Sequence, residues 1–172
     1  PSLIGVREQL ADLYLRADMT QDATLQLEAI LRERPTNERA LFVLGGIKRQ
    51  LDKLEEAAAH FETVLKINPK FELAYYELAG VRLFQNKPTI TLATLKKASE
   101  QFNPRFISKF YAGLAHSALY QYPKAIESLL NAEKLAQAGE KNRLTHFFYF
   151  QLGAAYERNR QYETASKTFN KA

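Results

Sequence analysis

The chain has 172 residues, of which 46% are hydrophobic and 25% are charged, the composition of an ordinary folded protein. It has no cysteine, which excludes disulfides, thiol catalysis and thiolate metal sites. It also has no apolar run near the roughly 18 residues that a membrane-spanning helix needs. A helical protein needs no disulfide, so cytoplasm and periplasm both stay open. The net charge of +5 could favour an acidic partner, but it is more simply explained by a solvated surface with a small excess of Lys.

Similar segments follow one another from the first residues onward. Pro35 and Pro69 lie 34 residues apart, and the pair Leu44-Gly45 returns near the end as Leu152-Gly153. Such self-similarity is typical of a repeat array. We interpret residues 1–172 as a single array with segments at 4–37, 38–71, 72–105, 106–145 and a truncated last segment at 146–172.

Each segment is predicted to form two helices, because its apolar residues recur every three or four positions. Pro88 and Pro123 fall where a second helix begins, a position that tolerates proline. Asn68 and Asn103 each precede a proline and are expected to end second helices. The fourth segment has 40 residues, which predicts a longer helix pair with a turn at Gly139.

Small residues recur at one place in the first helices. Gly45, Gly113 and Gly153 stand at the same position of their segments. A glycine inside a helix costs about 1 kcal/mol relative to alanine. Three glycines at one site therefore predict a neighbouring helix that passes too close for a β-carbon.

This pattern of small and large residues resembles the tetratricopeptide repeat family over essentially the whole chain. It departs from the family in having no Trp at the usual early place and Thr91 instead of the small alanine in the third segment. The resemblance implies an all-α fold, a right-handed α-solenoid of antiparallel helix pairs with about five repeats. It also implies a non-catalytic scaffold whose first helices line a concave groove for a peptide or helix of another protein.

The resemblance assigns particular first-helix positions to that groove, and here they are rich in aromatic residues. The expected groove residues are Arg39, Phe42, Val43, Arg49, Leu73, Tyr76, Glu77, Phe110, Tyr111, Phe147, Phe150 and Gln151. A contiguous exposed apolar patch usually marks a binding site, and we expect at least three of Phe42, Tyr76, Phe110 and Phe147 to be exposed in the groove. The alternative is that several of these rings belong to the core between repeats.

Other function classes have less support in the sequence. The family's chaperone-binding members hold a carboxylate tail with Lys, Asn and Arg, but the corresponding positions here are Glu8, Asp12, Val43, Leu73 and Glu77. A partner of that kind is not expected. His60, His116 and His146 lack metal-motif spacing, and His116 is expected in the core. We therefore expect no enzyme activity, no cofactor and no metal.

Two alternatives stay open. The first is a helical-repeat protein associated with nucleic acid, because basic and aromatic residues interleave in the second half. These residues are Lys96, Lys97, Arg105, Lys109, Lys124, Phe102, Phe106 and Tyr122. The second is an oligomerisation module, because Tyr162, Ala165 and Phe169 have nothing after Ala172 to cover them. We expect pairing or fraying at this C-terminal edge, and a natural chain that continues with a further repeat or cap.

Overall fold

The structure, a computed structural model, describes residues 3–172. Pro1 and Ser2, which the predicted array includes, lie outside the described residues. The described chain forms ten α-helices, one short 3-10 turn at Lys141–Arg143 and no strand. The helices are α1 Leu3–Arg16, α2 Thr20–Glu33, α3 Glu38–Gln50, α4 Leu54–Ile67, α5 Glu72–Phe84, α6 Pro88–Ser99, α7 Phe106–Ala118, α8 Tyr122–Gly139, α9 His146–Arg158 and α10 Tyr162–Phe169.

The predicted all-α fold class is confirmed, and every predicted segment contains two helices. The two helices of a segment pack against each other, as in α1 with α2, α3 with α4, α7 with α8 and α9 with α10. Among residues 3–172, none of the helices combines the length and the apolar character needed to cross a bilayer.

The chain divides into two compact units, the first ending at Val81 and the second running from Arg82 to Ala172. The first unit has its core around Leu27, Ile30, Leu44 and Phe61. The second has an aromatic core around Phe106, Phe110, Leu129, Phe148 and Leu152. The charges differ sharply: ten basic and thirteen acidic residues give the first unit a net −3, whereas fourteen basic and six acidic residues give the second +8.

The close approach predicted at the repeated glycines is confirmed. A β-carbon on Gly113 would lie 2.6 Å from Cγ of Leu129, and one on Gly153 would lie 2.6 Å from Cδ1 of Phe169. Real β-carbons do not come that close to other heavy atoms. In three of the five helix pairs, a glycine therefore lets the second helix lie directly against the first.

The extra residues of the fourth segment lengthen only its second helix, α8, which has 18 residues and ends at Gly139 as predicted. α4 ends at Ile67, directly before Asn68, but α6 ends at Ser99, four residues before Asn103. There the Ser99 hydroxyl donates to the Lys96 carbonyl at 2.7 Å, which competes with helix continuation.

His116, expected in the core, is not a core residue. It is half-buried, and its Nδ1 lies 2.9 Å from the Gln121 Oε1 atom.

Each first helix ends in a turn that contains one residue with positive φ. These residues are Asp18, Asp52, Asn86, Tyr120 and Arg160. Asp and Asn tolerate the left-handed conformation, whereas a bulky residue such as tyrosine is a genuine outlier there. Tyr120 has φ 59° and is nevertheless 79% exposed, so no burial of its ring offsets this strain.

Candidate functional site

The expected binding residues of the first unit lie on α3 and α5. On α3, Arg39, Phe42, Val43 and Arg49 share one face because they are separated by helical steps. Gly46 lies among them, and a β-carbon there would meet nothing within 4 Å. This face of α3 is therefore open at its centre.

Ion pairs bridge the first unit's face. Arg39 pairs with Asp12 on α1, and Arg49 Nε lies 3.1 Å from Glu77 Oε2 on α5. Asn37, the cap of α3, donates to Glu8 at 3.1 Å. The Arg49–Glu77 pair is about one-third exposed on each side. The charges of this face are thus already paired with one another, and a ligand would have to compete for them.

The aromatic residues of the first unit are packing residues more than surface anchors. Phe42 is half-buried, with its ring 5.5 Å from that of Phe61 and 4.9 Å from that of Phe71. Tyr76 is only 5% exposed, and its hydroxyl donates to Glu72 Oε1 at 2.9 Å. Leu73, in contrast, is 52% exposed.

The second unit's Phe110 is also buried. It is 9% exposed and stacks on Phe106 at 5.4 Å between centroids, with Phe148 at 5.9 Å. The expectation that at least three of the four candidate rings are exposed is therefore wrong, since Tyr76 and Phe110 are buried and Phe42 is half-buried. The physical reason is that these rings pack against other helices or the loops between them. Phe42 contacts Phe61 and Phe71, and Phe110 contacts Phe148, so the rings fill the space between elements and do not extend into solvent.

The exposed aromatic residues of the candidate surface are Phe147 and Phe150 on α9. They are 51% and 55% exposed and lie three residues apart on one side of the helix. Phe147 contacts the buried Phe110 edge-on at 6.1 Å, and Phe150 lies 5.8 Å from Phe169 of α10. Gln151, the next residue of α9, is half-buried, and so is Tyr111 on α7. We call Phe147, Phe150 and Gln151 the α9 face.

Contacts around Glu133 hold the last residues of the chain to α8. Lys171 Nζ lies 3.9 Å from Glu133 Oε1 and 5.3 Å from the centre of the Tyr149 ring. Burial raises the pKa of the Tyr149 hydroxyl, and the nearby Glu133 carboxylate raises it further. Tyr149 therefore stays neutral and can donate to that carboxylate. Because Tyr149 lies on α9, these contacts connect α8, α9 and the last residues of the chain.

The residues that sequence reasoning missed as a group are exposed aromatic side chains at the turns between paired helices. Phe84, Tyr120 and Tyr162 are 69%, 79% and 66% exposed. The regular spacing of Asp18, Asp52 and Asn86, 34 residues apart, could have indicated that Tyr120 occupies a left-handed turn position.

The first unit also has an open depression of about 770 Å³, lined by the start of α2 and by the turn that follows α3. Its apolar side is formed by Met19, Leu25 and Leu51, and its charged residues are Asp18, Asp22, Glu28, Lys48 and Lys53. Within residues 3–172, no group of three or more His, Asp or Glu side chains is arranged to hold a metal ion.

Known proteins resemble this chain in motif and in fold. The tetratricopeptide repeat model matches residues 38–71 and 148–172, which are the second and the last segments. No protein of curated function matches the sequence.

Several solved structures are similar over nearly the whole chain. MamA from Desulfovibrio magneticus RS-1, residue 41 to its end, has a TM-score of 0.87 at 21% identity and covers 99% of this chain and 93% of that one. YrrB, a tetratricopeptide repeat protein with an unusual peptide-binding site, has a TM-score of 0.76 at 16% identity, over 95% and 81% of the two chains. PilF from Pseudomonas aeruginosa has a TM-score of 0.79 at 17% identity, over 98% and 74%. The predicted α-solenoid of antiparallel helix pairs is confirmed.

Proposed function

We propose that the chain, two of whose segments match the tetratricopeptide repeat model, is a non-catalytic scaffold that binds a peptide or helix of a partner protein through its first helices. The observation that carries the proposal is the α9 face. Phe147 and Phe150 are each more than half exposed, although a phenylalanine ring gains from burial. Their rings offer the apolar anchors on which binding energy concentrates.

The support differs between the two units. On the second unit, the buried Phe110 contacts the Phe147 ring edge-on at 6.1 Å and supports it, so a ligand meets a preorganised aromatic surface. On the first unit, Arg39 and Arg49 already have carboxylate partners, and Leu73 is the exposed apolar residue. We therefore place the proposed anchoring site on the α9 face of the second unit.

The fold comparisons support the same reading. The similar structure of YrrB has a peptide-binding site, and repeat arrays commonly use their first helices for such contacts. No cation-rich clamp for a carboxylate tail is expected, because Asp12 and Glu77 hold the candidate arginines. Oligomerisation through the C-terminal edge stays an alternative, since Tyr162 on α10 is 66% exposed.

Nucleic acid is the less supported alternative. The stacking that it needs requires exposed rings, but Phe106 is 5% exposed and Phe102 and Tyr122 are half-buried. Single-stranded oligonucleotides are the ligand that tests this alternative. Binding that depends on phosphate contacts should weaken steeply as the salt concentration rises.

A random peptide library displayed on phage tests the proposal. We expect peptides with apolar side chains at helical spacing, whose affinity falls at least about tenfold in the Phe147→Ala/Phe150→Ala variant. Leu73→Ala on the first unit is the matched control and should reduce the affinity less. The proposal fails if no peptide is enriched, or if the α9 variant, folded by circular dichroism, binds the selected peptides as tightly as the original chain.

A further inference from the structure

The second unit has an edge of unusual composition at the turns between its paired helices. Residues 84–88, 119–124 and 158–162 form these three turns, which we call the turn edge. They contain four basic residues, Lys87, Lys124, Arg158 and Arg160, and no acidic residue. Glu157 and Glu163 flank only the last turn, and Lys167 neutralises Glu163 at 2.7 Å. The turn edge is therefore cationic.

The three turns lie at the same end of the second unit. α6 packs on α7, α7 on α8, and α8 on α9, with each helix running opposite to the one before it. The start of α6, the end of α7 and the end of α9 consequently face the same side. The four basic residues on this side are all exposed, and within the described residues none of them forms an ion pair.

Each of these turns also carries one aromatic ring that stands out into solvent. Phe84, Tyr120 and Tyr162 are 69%, 79% and 66% exposed. Tyr120 is held at φ 59° and touches Tyr122 edge-on at 6.3 Å. The chain thus places a bulky ring at a strained position where the preceding turns have Asp18, Asp52 and Asn86. Strain of this kind persists only where something else compensates for it.

We propose that the turn edge docks on the surface of an anionic lipid bilayer. Protruding rings surrounded by cations suit such a plane, because aromatic side chains favour the headgroup region and Lys and Arg are drawn to acidic lipids. From Arg82 to Ile126 the chain has one acidic residue, Glu100. Glu100 follows α6 and therefore lies away from the turn edge.

Other occupants fit the turn edge less well. A peptide or helix binds in a groove between secondary-structure elements, whereas these rings lie at the ends of helices, in turns, and are two-thirds or more exposed. A single-stranded nucleic acid needs rings spaced for neighbouring bases. Neighbouring helices lie about 8–10 Å apart, so turns of successive pairs are about 16–20 Å apart, too far to stack adjacent bases. A fluid bilayer imposes no such spacing.

Vesicle flotation tests this inference with the chain as it stands. Vesicles of phosphatidylcholine with about 30% phosphatidylserine should bind the chain, and vesicles of phosphatidylcholine alone should not. Binding should weaken at about 1 M salt, where the screening length falls to about 3 Å. Absence of binding to the phosphatidylserine vesicles at low salt would overturn the inference.

Two variants locate the contact, each with a control of equal chemistry. Lys87→Glu/Lys124→Glu should lower vesicle binding at least about tenfold, whereas Lys96→Glu/Lys97→Glu, with the same net charge at the far end of α6, should change it little. The combination Phe84→Gln/Tyr120→Asn/Tyr162→Gln should also lower it, and Phe147→Gln/Phe150→Gln should not. Asn86 holds the position equivalent to Tyr120, so Tyr120→Asn keeps the backbone conformation.

The results separate this inference from the proposed function. Loss of peptide binding in the α9 variant with vesicle binding retained supports both. Equal losses in the two lysine variants would mean diffuse attraction and overturn docking by the turn edge. Tighter binding to an oligothymidine, with the same sensitivity to Lys87→Glu/Lys124→Glu, would assign the turn edge to nucleic acid instead. Neither of these results would affect peptide binding at the α9 face.

Discussion

A β-carbon on Gly45 would lie 2.8 Å from Cε1 of Phe61, so this glycine and this ring are in contact across the first and second helices of one repeat. The next residue, Gly46, has open space where its β-carbon would be. The two adjacent glycines thus have opposite environments, so a substitution at Gly46 is a matched control for the same substitution at Gly45.

We expect Gly45→Ala to lower the free energy of unfolding by about 1–3 kcal/mol, because the extra carbon must displace the Phe61 ring from a well-packed core. Gly46→Ala should leave it unchanged or raise it by up to about 1 kcal/mol, because alanine has the higher helix propensity. Urea denaturation of the two variants measures the difference. Equal effects would show that Phe61 can move aside at no cost.

Phe110→Ala should destabilise the chain by about 3–5 kcal/mol, because it removes a ring from the core that includes Phe106 and Phe148. Phe147→Ala should cost only about 1 kcal/mol, since that ring is half exposed. Thermal unfolding followed by circular dichroism distinguishes them. A stable Phe110→Ala variant that fails to bind selected peptides would instead show that Phe110 belongs to the binding surface.

His60 should make stability depend on pH below about 6.5. Burial lowers the pKa of this ring from its ordinary value of 6.5, Lys48 lowers it further, and Glu56 opposes the shift. The unfolded chain therefore takes up a proton before the folded chain does, so stability is fully present above about pH 6.5 and falls as the pH drops toward the lowered pKa. Denaturation at about pH 7.5 and about pH 5.5 measures this loss.

His60→Gln is the control for that measurement and should show a smaller loss over the same interval. The Lys48 contact at 2.6 Å lowers the pKa of Glu56 from its ordinary value of 4.5. Protonation of Glu56 therefore changes the stability only at a pH below this interval. An unchanged slope in His60→Gln would mean that other groups cause the dependence.

Tyr120→Asn should raise the free energy of unfolding by about 1 kcal/mol, because asparagine adopts a positive φ more readily than tyrosine. Tyr162→Asn replaces another exposed tyrosine at a residue without positive φ and should not stabilise the chain. Chemical denaturation measures both. A destabilised Tyr120→Asn variant would show that the contact with Tyr122 outweighs the strain.

Much of this architecture was predictable because it depends on local periodicity. The three-and-four spacing of apolar residues predicts the helices, Pro88 marks the start of α6, and the recurring glycine at Gly45, Gly113 and Gly153 predicts the closest contacts. A single array over residues 1–172 and the assignment of the groove residues stay predictions. Both depend on how the repeats are arranged in space.

The sequence by itself determined the all-α class, the helix pairs and the contacts within each pair, because these follow from residues less than about 20 positions apart on amphipathic helices. Only the tertiary structure decided which aromatic rings are buried. Phe110 and Phe147 look alike in the sequence, but Phe106 and Phe148 enclose the first and leave the second half exposed. Burial depends on neighbours from other helices, which no periodicity along one helix can specify.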